Sequence, residues 1–196
     1  MSNNDREIEI KIPLEKGEFL KIRESLKKTA AFVKTSKQVD DYFTPDHRNF
    51  VEPRFPFEWL SVRRRGEKAI LNYKHYYPEN VETATHCDEF EAEVKAPEKL
   101  EKILSAINMK KLVTVEKERE TYNYNDEFEI ALDTVKDLGH FIEIEAMKDF
   151  GSVESTRKML FEFAKKLGIS DISNADKRGY PFLMMAKKGL IKRQLK

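Results

Sequence analysis

Apolar and polar residues alternate with a period of two through much of this chain, the mark of strands whose two faces meet different surroundings. About eight such stretches stand out: Arg6–Ile12, Phe32–Phe43, Phe57–Arg65, Ala69–Tyr76, Cys87–Val94, Leu112–Tyr124, Phe128–Asp133 and Phe141–Ala146. Three segments carry the helical period instead. Glu15–Lys28 places Phe19, Ile22 and Leu26 on one stripe, and the segment after Pro97 does the same with Leu100, Ile103, Leu104 and Ile107. The third, Ser152–Leu167, aligns Met159, Leu160, Phe163 and Leu167 and ends at Gly168. A shorter C-terminal helix with Phe182, Leu183 and Met185 precedes a basic tail, Lys187–Lys196, read as a solvated end. Thr44–Pro56, with Pro45, Pro53 and Pro56, is expected to be a long loop over one end of the fold.

The polar faces are ionic. Glu7, Glu9 and Lys11 share a face opposite Ile8, Ile10 and Ile12, and the same parity groups Arg63 with Arg65, Asn72 with Lys74, and Glu89 with Glu91 and Glu93. Lys117 lies with Arg119, Asp133 with Glu129, and Glu143 with Glu145. One sheet with a face in water explains the alternation equally well. The clustering of sign does not fit that explanation, because surfaces usually mix charges, and like charges two residues apart repel unless an opposite charge sits between them. Carboxylate clusters bind hard divalent cations, and guanidinium and ammonium clusters bind phosphate. The expected fold is α+β: an eight-stranded antiparallel barrel whose helices cover the apolar faces outside while the ionic faces line a wet tunnel.

Composition narrows the partners. Charged residues make up 36% of the 196, above the usual quarter, yet the net charge is only +1. The chain therefore offers no general attraction to nucleic acid or to an anionic membrane, and a polyanion must be met by a local basic patch. No apolar run is long enough to span a bilayer, and MSNNDREIEI lacks a signal-peptide core, so a cytoplasmic location is expected. The single cysteine, Cys87, excludes an internal disulfide and reads as an ordinary thiol. Length favours one domain over 1–196, with its core at about 6–185.

Glu7-Ile8-Glu9-Ile10-Lys11 resembles the opening ExExK motif of the CYTH, or triphosphate tunnel metalloenzyme, superfamily. Asp41-Tyr42-Phe43, Leu60-Ser61-Val62-Arg63, Asn72-Tyr73-Lys74, Glu89–Val94, Lys117-x-Arg119, Asp133 and Leu138-Gly139-His140-Phe141-Ile142-Glu143-Ile144-Glu145 follow in the family's order. The resemblance implies that Glu7, Glu9, Glu143 and Glu145 hold magnesium or manganese. It implies that Lys11, Arg63, Arg65, Lys74, Lys117 and Arg119 hold a triphosphate, and that Lys11, Glu91 and Asp133 serve catalysis. Ser61 stands where the family usually has an arginine, so a phosphate contact there is either lost or passed to Arg65, of the same parity.

The resemblance implies class IV adenylyl cyclase-like chemistry, ATP to cyclic AMP and pyrophosphate. Inorganic or thiamine triphosphate hydrolysis is the alternative, and a non-catalytic nucleotide- or polyphosphate-binding module is a third class. The implied partner is a small triphosphate (ATP, tripolyphosphate or thiamine triphosphate), with a homodimer left open. His47, His75, His86 and His140 lack metal-ligand spacing, Trp59 reads as a core or loop anchor ahead of a base-stacking group at a tunnel mouth, and Met184–Met185 reads as packing.

Overall fold

The computed structural model describes residues 5–169, 171–173, 175 and 179–191, and its alternating segments join into one antiparallel sheet. The strands are β1 (Arg6–Glu7), β2 (Glu9–Leu14), β3 (Ala31–Pro45), β4 (Glu58–Arg65), β5 (Lys68–Tyr77), β6 (His86–Val94), β7 (Met109–Tyr124), β8 (Phe128–Val135) and β9 (Gly139–Ala146). The helices are α1 (Lys16–Thr29), α2 (Pro97–Ala106), α3 (Val153–Lys166) and α4 (Gly179–Lys187). None is long and apolar enough to cross a membrane. Residues 192–196 of the basic tail lie outside the described residues.

The order β1-β6-β5-β4-β3-β7-β8-β9-β2 starts and finishes with two halves of one N-terminal segment, so the sheet curls into a nearly closed barrel. Nine strands form where the pattern predicts eight, because that segment changes partner at Ile8. Arg6 and Glu7 pair with Asp88 and Cys87 of β6, whereas Glu9–Leu14 pair with β9. A second difference lies at the predicted loop. Thr44 and Pro45 still pair, with Lys110 and Met109, so only 46–57 is irregular; the Phe50 amide then donates to Thr44 Oγ1 at 2.8 Å and ties the loop back.

Alternation decides what is covered. The outward residues Ile10, Ile12, Ile130, Leu132, Ile142 and Ile144 are buried beneath Phe19, Ile22 and Leu26 of α1 and Leu160, Phe163 and Ala164 of α3. Each such side chain contributes roughly 1.5–3 kcal/mol. Ser152 caps α3 by accepting from the Ser155 amide while Ser155 bonds back, a reciprocal pair that satisfies two otherwise open amides. Gly168, at φ +90°, provides the left-handed turn that ends the helix. On the other flank α2 buries only Leu104 against Phe43 and Val62. Ile103 and Ile107, predicted on its inner stripe, are exposed because a ten-residue helix reaches this sheet along a narrower line than its periodicity allows.

α4 lies across one end of the barrel. Its Tyr180, Phe182, Leu183, Met184 and Met185 cluster with Tyr42, Trp59, Val113, Val115, Val135 and Phe141, making that end apolar. Trp59 is a core anchor in this plug, edge-on to Tyr42 at 5.9 Å, and not a group at an open mouth.

Candidate functional site

Beyond the apolar plug the inner face turns ionic, because register carries one parity round the barrel. Lys11 stands opposite Glu143 and Glu9 opposite Glu145; Arg119 pairs with Asp133, Asp40 with Arg63, Ser61 with Asn72, and Lys74 with Glu89. Most of them line one cavity inside the barrel. Ten of the residues marked from the sequence line it: Glu7, Glu9, Lys11, Arg63, Arg65, Lys74, Lys117, Arg119, Glu143 and Glu145. The other two are set apart. Asp133 is fully buried behind the wall, and Glu91 lies at the rim with 45% of its side chain exposed.

The cations sit among carboxylates. Asp133 accepts from Arg119 Nε at 2.7 Å, from Lys117 Nζ at 3.2 Å and from the Tyr180 hydroxyl at 2.7 Å. Arg119 also pairs with Glu143, which Lys11 holds at 2.8 Å. Lys74 pairs with Glu7 and lies 3.5 Å from Glu89, while Arg63 reaches Glu89 and Glu91, each at 2.9 Å. Arg65, placed to replace the missing arginine, is engaged by Asp40. Ser61 faces inward, fully buried beside Asn72, so the departure from the family pattern leaves a small side chain on the wall. Arg63 Nε is buried and has no hydrogen-bond partner among the described residues.

This balance sets the protonation states. Burial raises Glu7 to about 9, helped by a proton shared with Glu89 and by the charges of Glu9 and Glu145, against the pull of Lys74. Burial, with Glu9 beside it, raises Glu145 to about 7. Burial also opposes the charge on Glu143, but Arg119 and Lys11 overcome it and hold the carboxyl well below its usual range. Lys117 is brought down to about 8 by burial and by Arg119, with Asp133 and Glu143 opposing. Cavity and rim thus hold eight carboxylates (Glu7, Glu9, Asp40, Glu89, Glu91, Asp133, Glu143, Glu145) against six cations (Lys11, Arg63, Arg65, Lys74, Lys117, Arg119).

Glu7, Glu9 and Glu145 form an all-oxygen donor set of the kind hard divalent cations take, with Glu7 and Glu145 holding protons that a cation must displace. The fourth expected ligand, Glu143, is drawn instead to Lys11 and Arg119. Among the described residues no three such side chains converge as ready ligands; Glu7 is paired with Lys74, and Glu143 with Lys11 and Arg119.

Parity reaches further members of the site and misses one. Asp40 and Glu89 share the inward parity of Tyr42 and Glu91 and were open to discovery by it; Tyr180 arrives from a helix with no strand register to announce it. The histidines lie elsewhere or are occupied: His75 bonds Glu79 at 2.9 Å, and His140 bonds Thr134 and packs on Phe19. Cys87 is buried, and burial pushes its thiol up, as an inert thiol requires.

The molecule is similar throughout to known proteins. A Methanocaldococcus jannaschii protein named "Putative adenylate cyclase" is 30% identical over 166 residues, which cover 84% of this chain and 90% of that one. A solved protein of Pyrococcus horikoshii OT3 superposes with a TM-score of 0.77 at 28% identity, covering 92% of this chain and 99% of its own. A Hippeastrum protein, described as an adenylyl cyclase candidate with a dominant triphosphatase activity, shares the fold at a TM-score of 0.65 and 19% identity, over 94% of this chain and 95% of that one. Residues 5–180 match the CYTH domain, and with the ionic barrel already in view the chain is placed in the CYTH domain family.

Proposed function

We propose that this chain is a divalent-cation-dependent enzyme that takes ATP into the barrel and forms cyclic AMP and pyrophosphate. The observation that supports it is a single cavity in which Arg63, Arg65, Lys74, Lys117 and Arg119 face Glu7, Glu9, Glu143 and Glu145, with a donor of Arg63 unpaired. The guanidinium groups grip phosphate oxygens in pairs and the ammonium groups act as compact charges. Lys11, beside Glu143 and Glu9 and with its pKa raised, stays charged and offsets charge on the departing phosphates. Asp133, enclosed by Lys117, Arg119 and Tyr180, acts as a positioning residue that aims the cations. Glu91 is the rim carboxylate assigned to accept a proton, held by Arg63.

Glu7, Glu9 and Glu145, together with Glu143, would hold a magnesium or manganese ion, which would supply Lewis-acid charge at the phosphate oxygens. In the reaction the ribose 3′ oxygen bonds to the α-phosphorus as the bond to the bridging oxygen breaks, which requires the barrel wall to hold the two in line. The name of the Methanocaldococcus relative favours this reading. A second reading, hydrolysis of the terminal phosphate, is favoured by a main cavity whose lining is mostly ionic beyond the α4 plug.

The test offers ATP, thiamine triphosphate and tripolyphosphate with manganese or magnesium and follows products by phosphorus NMR. Cyclic AMP and pyrophosphate are expected from ATP. ADP and phosphate without cyclic AMP replace cyclisation by hydrolysis, and binding of all three without turnover leaves a non-catalytic module.

A further inference from the structure

The barrel wall has a gap that follows from its topology. β2 pairs with β9 along one edge and ends the sheet on the other, because β6 meets the N-terminal segment only at Arg6 and Glu7. Behind that free edge lies a second cavity, which shares Glu7, Glu9, Lys11 and Tyr76 with the main one and runs outward to α3.

Its outer part differs in chemistry from the tunnel. Ile10, Ala84 and Phe161 give it apolar walls, and Thr85, His86 and Arg157 give it polar groups. Arg157 donates to the Thr85 carbonyl at 3.2 Å and lies over the Phe161 ring at 5.5 Å. Burial is the one influence on its ionisation, with no carboxylate of the described residues close enough to oppose it. His86, lowered by burial and then by the charges of Arg6 and Arg157, is a neutral imidazole at neutral pH and bonds Thr85 Oγ1 at 3.0 Å. The pocket therefore combines apolar walls with one half-buried guanidinium that has donors and, among the described residues, no carboxylate paired with it.

We infer that this side cavity holds the organic group of the substrate, an uncharged planar heterocycle with ring-nitrogen or carbonyl acceptors such as a nucleobase, while the triphosphate lies in the main cavity. The inference rests on the triphosphate reading above. A bare polyphosphate gains nothing from the apolar walls, and a cationic heterocycle such as that of thiamine is repelled by Arg157. The shared junction at Glu7, Glu9 and Lys11 then lies between base and phosphates.

Two variants test this, each checked by thermal melting. Ala84→Phe, in a half-buried loop position, fills the cavity; Arg157→Met keeps the stem on Phe161 and removes the donors. With manganese, Ala84→Phe is expected to raise KM for ATP about tenfold or more, a loss of roughly 1.4 kcal/mol, and to leave tripolyphosphate turnover within about twofold. Arg157→Met is expected to weaken ATP in the same sense and to narrow the preference for ATP over thiamine triphosphate. Equal losses for ATP and tripolyphosphate, or no loss for either, overturn the inference. If the wild-type protein turns over neither compound, the functional reading fails first, and titration calorimetry of ATP and tripolyphosphate against wild type and Ala84→Phe decides the side cavity. The same split in affinity upholds it; equal affinities, or no ATP binding, overturn it.

Discussion

Tyr180 donates its hydroxyl proton to Asp133 at 2.7 Å, from a helix outside the strand wall to a carboxylate buried within it. The same ring lies 4.2 Å from Lys11 Nζ and 4.8 Å from Lys117 Nζ. α4 is thus tied to the charge balance of the cavity as well as to the plug. Tyr180→Phe keeps the ring and removes the donor, leaving more of the Asp133 charge to attract Lys117. The Lys117 pKa, brought down to about 8, should move upward, and with it the alkaline limb of kcat/KM for tripolyphosphate. A stability loss of about 1.5–3 kcal/mol should accompany the shift, as for a hydrogen bond to a charged group. An unmoved limb with the same stability loss assigns Tyr180 to packing alone.

Carboxylate crowding makes a pH-dependent prediction. Glu7 keeps its proton in the cation-free fold up to about pH 9 and Glu145 to about 7, whereas unfolded glutamates lose theirs near 4.5. The fold binds more protons than the unfolded chain across that window, so these groups make stability fall as pH rises through it. Lys117 works the other way from about 8 to 10.5, where the unfolded chain holds the extra proton. Melting temperatures after chelation should therefore decline from mildly acid pH to about 8, and Glu7→Gln should flatten the decline while abolishing most activity. A melting temperature that climbs over this range, or full activity in the variant, contradicts the assignment of Glu7.

Manganese binding should release protons, because Glu7 and Glu145 must ionise to act as ligands. Calorimetry in two buffers of different ionisation enthalpy measures the number released. Heats that do not depend on the buffer remove these two residues from the cation site.

Arg119→Ala should weaken tripolyphosphate binding by about ten- to a hundredfold, the worth of one or two charge-assisted hydrogen bonds. Asp133 keeps Lys117 and Tyr180, and Glu143 keeps Lys11, so the wall survives the change. Lys74→Ala is a harsher test, since it leaves Glu7 and Glu89 without their shared cation and should lower stability as well. Titration of tripolyphosphate and of adenosine separates the roles: equal losses for both mean that these side chains hold the fold.

Ser152→Ala removes the cap of α3 at a residue that lines neither cavity, and should cost about 1 kcal/mol with unchanged KM for tripolyphosphate. A changed KM would show that α3 transmits its docking to the ionic wall.

Most of the site was legible because strand parity is a local property. Once Glu9 is inward, register places Lys11, Glu143 and Glu145 inward too, and no bulge intervenes between β2 and β9. What parity cannot state is which charge meets which. Glu143 looks like a cation ligand beside Glu145 in sequence, yet pairing sets it opposite Lys11 and near Arg119, and the nearer positive charges claim it. Tyr180 and the break at Ile8 were hidden for a related reason: both depend on partners remote in the chain, and neither changes the local pattern.

That break has a consequence for how the molecule is made. The β1–β2 segment leaves the ribosome before the rest of the barrel, yet its main partner β9 is synthesised after the other eight strands. Ile10 and Ile12 must wait, covered at most by α1, until the final strand arrives and closes the circle. Contacts of such long sequence separation are slow to form, so assembly should end with ring closure at the N-terminus, and truncated nascent chains should expose a sticky isoleucine edge.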